Sequence, residues 1–174
     1  MQDTLNDFIS DGQKTWRLVR NRIADIFDEK NSKLRDNAKD KDIIIFRMED
    51  VEMQLPVLIG DYTDFYSSKE HATNVGKMFR DPENALLPNW LHIPVGYHGR
   101  SSTIVPSGIP VHRPMGQMLP NGETSPVFGS SRSVDFELET AFITTDVNIM
   151  GENILITEAH EYIFGMVLLN DWSA

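Results

Sequence analysis

Apolar residues in the first third of the chain recur with the period of an α-helix. Trp16, Val19, Ile23 and Ile26 follow one another at spacings of three or four residues, with Lys, Arg and Asp residues between them. This spacing is typical of an amphipathic helix that turns one apolar stripe toward a core. We therefore predict that residues 1–50 form a helical segment, with a charged, fraying stretch after residue 28.

The pattern of polarity changes near residue 50. Val51, Met53 and Leu55 alternate with polar residues, which is the period-two signature of a half-buried strand, and Pro56 ends it. From here onward, glycine, proline and aromatic residues separate short apolar segments, as is typical of a β-rich domain with functional loops. We predict an α+β fold, in which a helical segment (1–50) precedes a β-rich domain (51–174).

Three later segments complete this prediction. Val134 to Thr144 alternates most clearly and is expected to be a strand. Residues 160–169 begin ambiguously and are expected to end as a buried apolar strand. Between Met115 and Ser133 the chain is rich in turn-forming residues, so we expect a surface loop there.

Composition narrows the class of protein. The 174 residues carry 40% hydrophobic and 24% charged side chains, which are ordinary values for a soluble globular domain. The formal charge of −10 argues against a nucleic-acid partner, because no basic surplus exists to neutralise phosphates, and it suits a cation site. The sequence has no cysteine, no leader pattern in residues 1–5 and no apolar run long enough to span a bilayer. We therefore expect a cytoplasmic protein without a membrane partner.

An acidic strand offers the first candidate chemistry. Successive side chains of a strand point to opposite faces, so Asp135, Glu137 and Glu139 share one face. Same-face neighbours lie about 7 Å apart between Cα atoms, a spacing from which carboxylates can converge on one cation. The plainer interpretation is a solvated acidic face, the usual outcome for an antiparallel strand. Against it, the same face continues into apolar Ala141 and Ile143, and buried carboxylates without a cation or basic partner are costly.

Two further aspartates could join such a site. Asp171 directly follows the apolar run 166–169, where a strand emerges, and Asp64 lies in an aromatic-rich segment. Each aspartate, taken alone, is more typical of a turn residue. A set of carboxylates without any cysteine would select Mg²⁺, Ca²⁺ or Mn²⁺ over Zn²⁺.

His71 is the candidate for acid–base chemistry. Ser67 and Glu70 have the spacing of a capping box, which predicts a helix that begins at Ser67 and places His71 in its first turn. Val75, at four residues, and then Met78 and Phe79 follow, so His71 is expected on the inward, apolar face. It could be a core histidine with satisfied hydrogen bonds. It could also be a general base, because burial and a helix N-terminus both favour the neutral imidazole.

Several segments, taken in order along the chain, match one enzyme family. They are Asp61-Tyr62-Thr63-Asp64-Phe65-Tyr66-Ser67-Ser68, His71-Ala72-Thr73-Asn74-Val75-Gly76, Pro88-Asn89-Trp90, Pro94-Val95-Gly96-Tyr97-His98-Gly99-Arg100, Asp135-Phe136-Glu137-Leu138-Glu139 and Asn170-Asp171-Trp172-Ser173-Ala174. Together they resemble the fumarylacetoacetase (fumarylacetoacetate hydrolase) family. The match runs across nearly the whole chain and is firm from about Pro56 onward.

The resemblance implies a homodimeric hydrolase of tyrosine and phenylalanine breakdown, which splits a carbon–carbon bond of the diketo acid 4-fumarylacetoacetate into fumarate and acetoacetate. It implies Ca²⁺ or Mg²⁺ as cofactor and a mixed β-roll or β-sandwich domain at 51–174, preceded by the end of an N-terminal domain. By resemblance, His71 matches the base that activates water. The family's metal ligands match Asp64, Glu137, Glu139 and Asp171, and its substrate-contacting positions match Tyr66, Arg80 and Tyr97. Asp135 is not among the ligands.

Family members extend further at both ends, and the resemblance implies that the additional C-terminal region supplies a Glu that orients the base and a Lys. We therefore expect this chain to contain the metal ligands without the whole catalytic set. One alternative is an acylpyruvate hydrolase or decarboxylase of the same superfamily, although the long match over residues 91–108 favours a fumarylacetoacetase. The others are a non-catalytic chain that binds metal or a partner, and a structural scaffold.

Overall fold

The computed structural model describes residues 3–145 and 148–174, so that Met1 and Gln2, the start of the segment assessed for a leader, lie outside the described residues. The chain divides into two compact units. The first combines residues up to 56 with residues from 107 onward, and the second comprises Val57–Pro106. Within the described residues, no helix is both long and apolar enough to cross a bilayer.

Helices occupy the start of the first unit, as the apolar spacing predicts. They are α1 (Asn6–Ser10), α2 (Gln13–Phe27), α3 (Ser32–Arg35) and α4 (Ala38–Ile44). The side chain of Asn31 caps α3 by accepting from the Lys33 amide, and that of Asn37 caps α4 by accepting from the Asp40 amide. Such caps satisfy amides that have no partner within the helix.

Strands pair two by two in the described residues, always antiparallel. They are β1 (Thr63–Phe65) with β2 (Gly96–His98), β3 (Met115–Met118) with β4 (Val127–Ser130), and β5 (Asp135–Thr144) with β6 (Ile163–Ser173). Helices and small sheets together confirm the α+β class. The predicted strand from Val134 to Thr144 is confirmed by β5.

Trp16 joins the helices of the first unit to its last strand. Its side chain is buried, and its indole Nε1–H donates to the carbonyl oxygens of Phe8 and Ile9, each at 3.0 Å. The ring of Phe164 on β6 meets Trp16 edge-on at a centroid distance of 5.2 Å and Phe8 at 5.9 Å. Edge-to-face geometry is favoured between aromatic rings. Helices α1 and α2 therefore share one small core with β6.

The β5–β6 hairpin has one apolar and one acidic face. The apolar face is solvent-accessible, since Leu138 is 77% exposed and Leu168 is 76% exposed. Glu137 and Glu139, on the other face, are half-buried. The prediction of a buried apolar strand over residues 160–169 is therefore wrong for its apolar face. The reason is that a two-stranded sheet buries a face only where another element packs on it.

Two other segments differ from the sequence prediction. Residues 51–55 form no strand: the backbone is extended at Val51, but no described strand pairs with it. Alternating polarity produces a strand only where a partner supplies the ladder hydrogen bonds. Conversely, the segment 115–133, expected to be a loop, contains the β3–β4 hairpin, with Gly116 opposite Gly129. Glycine lowers strand propensity and so conceals the strand signal.

The second unit contains the β1–β2 sheet and helix α5 (Lys69–Phe79). The buried residues of α5 are small, namely Ala72 and Gly76. Met78 and Phe79, which were predicted to face inward, are 69% and 79% exposed. The buried face of α5 therefore contains fewer residues than the apolar spacing predicts. It is formed by small residues, which let neighbouring backbone approach the helix closely.

Candidate functional site

Three of the four residues that match metal ligands lie on the acidic face of the β5–β6 hairpin. Glu137 stands opposite Asp171 in the strand register, and Glu139 lies two residues further along β5. All three side chains are half-buried. One carboxylate oxygen of Glu139 and one of Asp171 lie within 4.8 Å of each other. A cation with oxygen ligands at about 2.3–2.6 Å can bridge that separation, so this donor pair fits a hard divalent ion.

Asp135 begins the same strand but has a different environment. Its side chain is exposed, and its Oδ1 accepts a hydrogen bond from the backbone N–H of Phe136 at 2.8 Å. It stands opposite Ser173, whereas Glu137 stands opposite another carboxylate. Asp135 therefore provides a natural comparison for variants of the half-buried acids.

Asp64 lies on β1 in the second unit, where a turn was the commoner expectation for an isolated aspartate. The strand register places it directly opposite Tyr97 on β2, and the Tyr97 hydroxyl donates a hydrogen bond to Asp64 Oδ2. Asp64 is half-buried, and Tyr97 is 49% exposed. The cross-strand pair therefore orients the carboxylate of Asp64, a candidate metal ligand, through the hydroxyl of Tyr97, a candidate substrate contact.

His71 lies in the first turn of α5, as predicted, but the N-cap is Ser68 and not Ser67. The Ser68 side chain accepts a hydrogen bond from the His71 backbone N–H at 3.2 Å. The capping-box spacing therefore misplaces the helix start by one residue. The imidazole is half-buried, with Nε2 shielded from bulk solvent. The ring of Tyr66 stacks on it at a centroid distance of 5.1 Å and an interplanar angle of 25°.

Arg80 lies at the C-terminal end of α5. Its backbone N–H donates to the carbonyl of Gly76 at 2.9 Å, and its Nη1 donates to the carbonyl of Ala85 at 3.2 Å. A guanidinium carries five N–H donors in a rigid fork. Because the guanidinium makes only one hydrogen bond to a carbonyl among the described residues, its other N–H groups could bind a carboxylate.

The candidate residues fall into two groups, one in each unit. The second unit contains Asp64, Tyr66, His71, Arg80 and Tyr97, and the first contains Glu137, Glu139 and Asp171. The sequence prediction overlooked Trp90, whose indole Nε1–H donates to the Tyr66 carbonyl at 2.6 Å. The one available signal was general: the N–H of a part-buried indole usually donates a hydrogen bond to some acceptor.

Comparison with known proteins gives two family matches. Residues 1–56 match the family described as Fumarylacetoacetase N-terminal, and residues 61–174 match Fumarylacetoacetate (FAA) hydrolase C-terminal. The fumarylacetoacetases of Homo sapiens and Dictyostelium discoideum are 53% and 52% identical over 99% of this chain. That of Arabidopsis thaliana is 45% identical over 100% of it. The chain spans 41% of the length of each of these curated relatives.

The chain belongs to the fumarylacetoacetate hydrolase family, as the motif resemblance indicated. Enzymes of this family are metal-dependent, and the Glu139–Asp171 pair could hold a metal ion. The family's substrates are small molecules, which agrees with the sequence prediction for the chemical class of partner.

Proposed function

We propose that this chain provides the metal-binding part of a fumarylacetoacetase. Such an enzyme hydrolyses a carbon–carbon bond of 4-fumarylacetoacetate to fumarate and acetoacetate, the last step of tyrosine and phenylalanine breakdown. The observation that carries the proposal is the 53% identity with human fumarylacetoacetase over 99% of the chain. The half-buried carboxylates of the β5–β6 hairpin and the stacked histidine of α5 support it chemically.

Four carboxylates would hold the cation. They are Asp64, Glu137, Glu139 and Asp171, an all-oxygen set that favours Ca²⁺ or Mg²⁺. When bound, such an ion would polarise the attacked carbonyl and stabilise the departing enolate. The separation of no more than 4.8 Å between oxygens of Glu139 and Asp171 supports this assignment.

His71 is the proposed base. It takes a proton from water at Nε2 while the water oxygen forms a bond to the attacked carbonyl carbon. The adjacent carbon–carbon bond then breaks, and its electron pair passes to the acetoacetate carbon, which takes up a proton. One water molecule is consumed, and no oxidant or reductant is needed. Two contacts support this role: the Tyr66 ring stacks on the imidazole, and the Ser68 side chain holds the backbone amide of His71 at the helix start.

Tyr66, Arg80 and Tyr97 are the proposed substrate contacts. Arg80 would bind a substrate carboxylate with the donors that Ala85 leaves available. Tyr97 would bind a substrate oxygen while its hydroxyl stays close to Asp64. A tyrosine hydroxyl has one proton, so with that proton donated to Asp64 the Tyr97 oxygen would accept from a substrate hydroxyl, such as that of the enol form of the diketo acid.

The proposal includes a cytoplasmic homodimer, a β-roll or β-sandwich catalytic part at 51–174 and a helical part at 1–50. The family match over residues 61–174 supports the type of fold. Light scattering of the whole enzyme of which this chain is proposed to be a part tests the assembly, and a monomer mass at micromolar concentration would contradict the dimer.

The test of the activity is consumption of fumarylacetoacetate, in the presence of Ca²⁺ or Mg²⁺, by the whole enzyme of which this chain is proposed to be the metal-binding part. We expect His71→Ala to lower kcat by about 10²–10⁴-fold, the usual contribution of a general base. His112→Ala, a matched exposed histidine, should leave turnover unchanged. Equal turnover of His71→Ala and the unmodified protein would refute the base assignment. A panel of substrates that includes acylpyruvates distinguishes a fumarylacetoacetase from the related acylpyruvate hydrolases, since each should turn over its own substrate faster.

The cation site has a test that needs no turnover. Adding Ca²⁺ or Mg²⁺ should raise the free energy of unfolding by about 2.7 kcal/mol when the cation concentration is 100 times its Kd. Asp171→Asn should abolish this increase, whereas Asp135→Asn should preserve it. If both variants respond alike, the hairpin ligands are wrongly assigned. Cation binding without any hydrolysis would favour the alternative of a non-catalytic metal-binding chain.

A further inference from the structure

Trp90 makes one polar contact whose target is the backbone of a proposed site residue. It lies in a 3₁₀ turn at Pro88–Leu91 and is half-buried. Its indole Nε1–H donates to the carbonyl oxygen of Tyr66 at 2.6 Å, across 24 residues of sequence. An indole N–H can donate but not accept, and the Tyr66 carbonyl is the acceptor that it meets here. We propose that Trp90 is a positioning residue that holds Tyr66, and through Tyr66 the imidazole of His71, in place.

The backbone of Tyr66 is held from both sides. Its carbonyl accepts from Trp90, and its N–H donates to the carbonyl of Val95 at 2.8 Å. The next amide, that of Ser67, donates back to the carbonyl of Phe65 at 2.9 Å. These bonds restrain the backbone dihedrals on each side of Tyr66. The direction in which its side chain leaves the backbone is therefore determined by the segment 88–95.

The Tyr66 ring in turn restrains the imidazole. It stacks on His71 at 5.1 Å and 25°, while Ser68 restrains the backbone amide of His71 at the helix start. Rotation of the imidazole about its terminal torsion is intrinsically soft. A flat ring held against one face removes that freedom, so the orientation of Nε2 depends on where Tyr66 lies.

Trp90 could alternatively be a packing residue whose indole N–H is incidental. Trp90→Phe separates the two, because phenylalanine keeps an aromatic side chain and removes the donor. The chain offers a matched control in Trp16→Phe. The Trp16 indole also donates to backbone carbonyls, at 3.0 Å, but it lies in the first unit.

The measurement is the ring-current shielding of the two carbon-bound imidazole protons of His71 by NMR. Tyr66→Leu removes the shielding and sets the full scale, whereas Tyr66→Phe keeps the ring and the shielding. We expect Trp90→Phe to lose most of the shielding and Trp16→Phe to lose none. Retention of full shielding in Trp90→Phe overturns the proposal, as does an equal loss in both tryptophan variants.

A second measurement does not depend on how well a variant folds. In the unmodified chain, the Trp90 indole N–H should exchange with solvent at least about tenfold more slowly than a free indole, because it is hydrogen-bonded and half-buried. Exchange at the free rate would also overturn the proposal.

That Trp90 positions Tyr66 does not depend on the proposed function. Only the expected effect on catalysis rests on the proposed role of His71 as the base. In active enzyme, Trp90→Phe should lower kcat about tenfold or more, since a misplacement of about 1 Å can cost about 10²-fold. It should also raise KM, because Tyr66 is a proposed substrate contact. Unaltered kcat refutes the catalytic consequence. Unaltered turnover in His71→Ala refutes the base assignment, and the shielding result still decides whether Trp90 positions Tyr66.

Discussion

Gly76→Ala is the substitution for which the structure predicts the clearest change in stability. Gly76 is buried in the middle of α5. A Cβ added there would lie 2.1 Å from the carbonyl oxygen of Ala85 and 2.8 Å from its carbonyl carbon. Ala85 is itself only 3% exposed, and both contacted atoms are backbone, so no flexible side chain can move aside.

The size of the effect follows from three contributions. Ordinary contact begins at 3.4 Å, so the helix and the Ala85 segment must separate by more than 1 Å. Overpacking of this kind costs about 1–3 kcal/mol. Displacing Ala85 also weakens the bond that its carbonyl accepts from Arg80, worth about 0.5–1.5 kcal/mol. The higher helix propensity of alanine offsets about 1 kcal/mol, which leaves a net destabilisation of about 2 kcal/mol.

Urea unfolding followed by circular dichroism measures this difference. The matched control is Gly60→Ala in the same unit, where nothing lies within 4 Å of an added Cβ. We expect the control to remain within about 0.5 kcal/mol of the unmodified protein. A Gly76→Ala variant that is equally close to the unmodified protein would refute the close approach of α5 to Ala85.

Two further substitutions test local electrostatics and capping. Ser68→Ala should lower the free energy of unfolding by about 1 kcal/mol, because it removes the N-cap acceptor of α5. Ser67→Ala, the control, should have little effect. If urea unfolding shows the larger loss in Ser67→Ala, the N-cap is Ser67, as the capping-box spacing predicted. The hydrogen bond from the Arg35 guanidinium lowers the pKa of Asp36 below the ordinary value of an aspartate. Because the folded pKa is the lower one, this contribution to stability is present above the unfolded pKa and disappears as pH falls through the folded pKa. A carboxyl-carbon NMR titration should show the Asp36 midpoint rising in Arg35→Gln, and an unmoved midpoint would contradict the pairing.

Local periodicity was sufficient where the alternation or spacing of apolar residues is regular over several residues. Helix α2 follows from the spacing around Trp16, and β5 from the alternation that begins at Val134. The same reasoning failed for residues 51–55, which alternate but have no partner strand among those described. It also failed for Phe79, because the inward face of α5 depends on where Ala85 comes close, and that is a tertiary contact.

The candidate site shows the same division. His71 could be placed in a first helical turn from nearby sequence alone, to within one residue of the cap. The carboxylates could be placed on one face of a strand, but the pairing of Glu137 with Asp171 depends on the hairpin register. The bond from Trp90 to the Tyr66 carbonyl leaves no trace in the pattern of residues, because any residue at position 66 has a carbonyl.

The pairing of Glu137 with Asp171 also has a consequence for engineering. Like charges directly opposite each other destabilise an antiparallel pair. Replacing either acid by its amide would relieve that repulsion and remove a ligand in the same step. Selection for thermal tolerance in the absence of the cation would therefore favour variants that have lost the site. On the acidic face of the β5–β6 hairpin, the sequence that is most stable without the cation is therefore not the sequence that binds it.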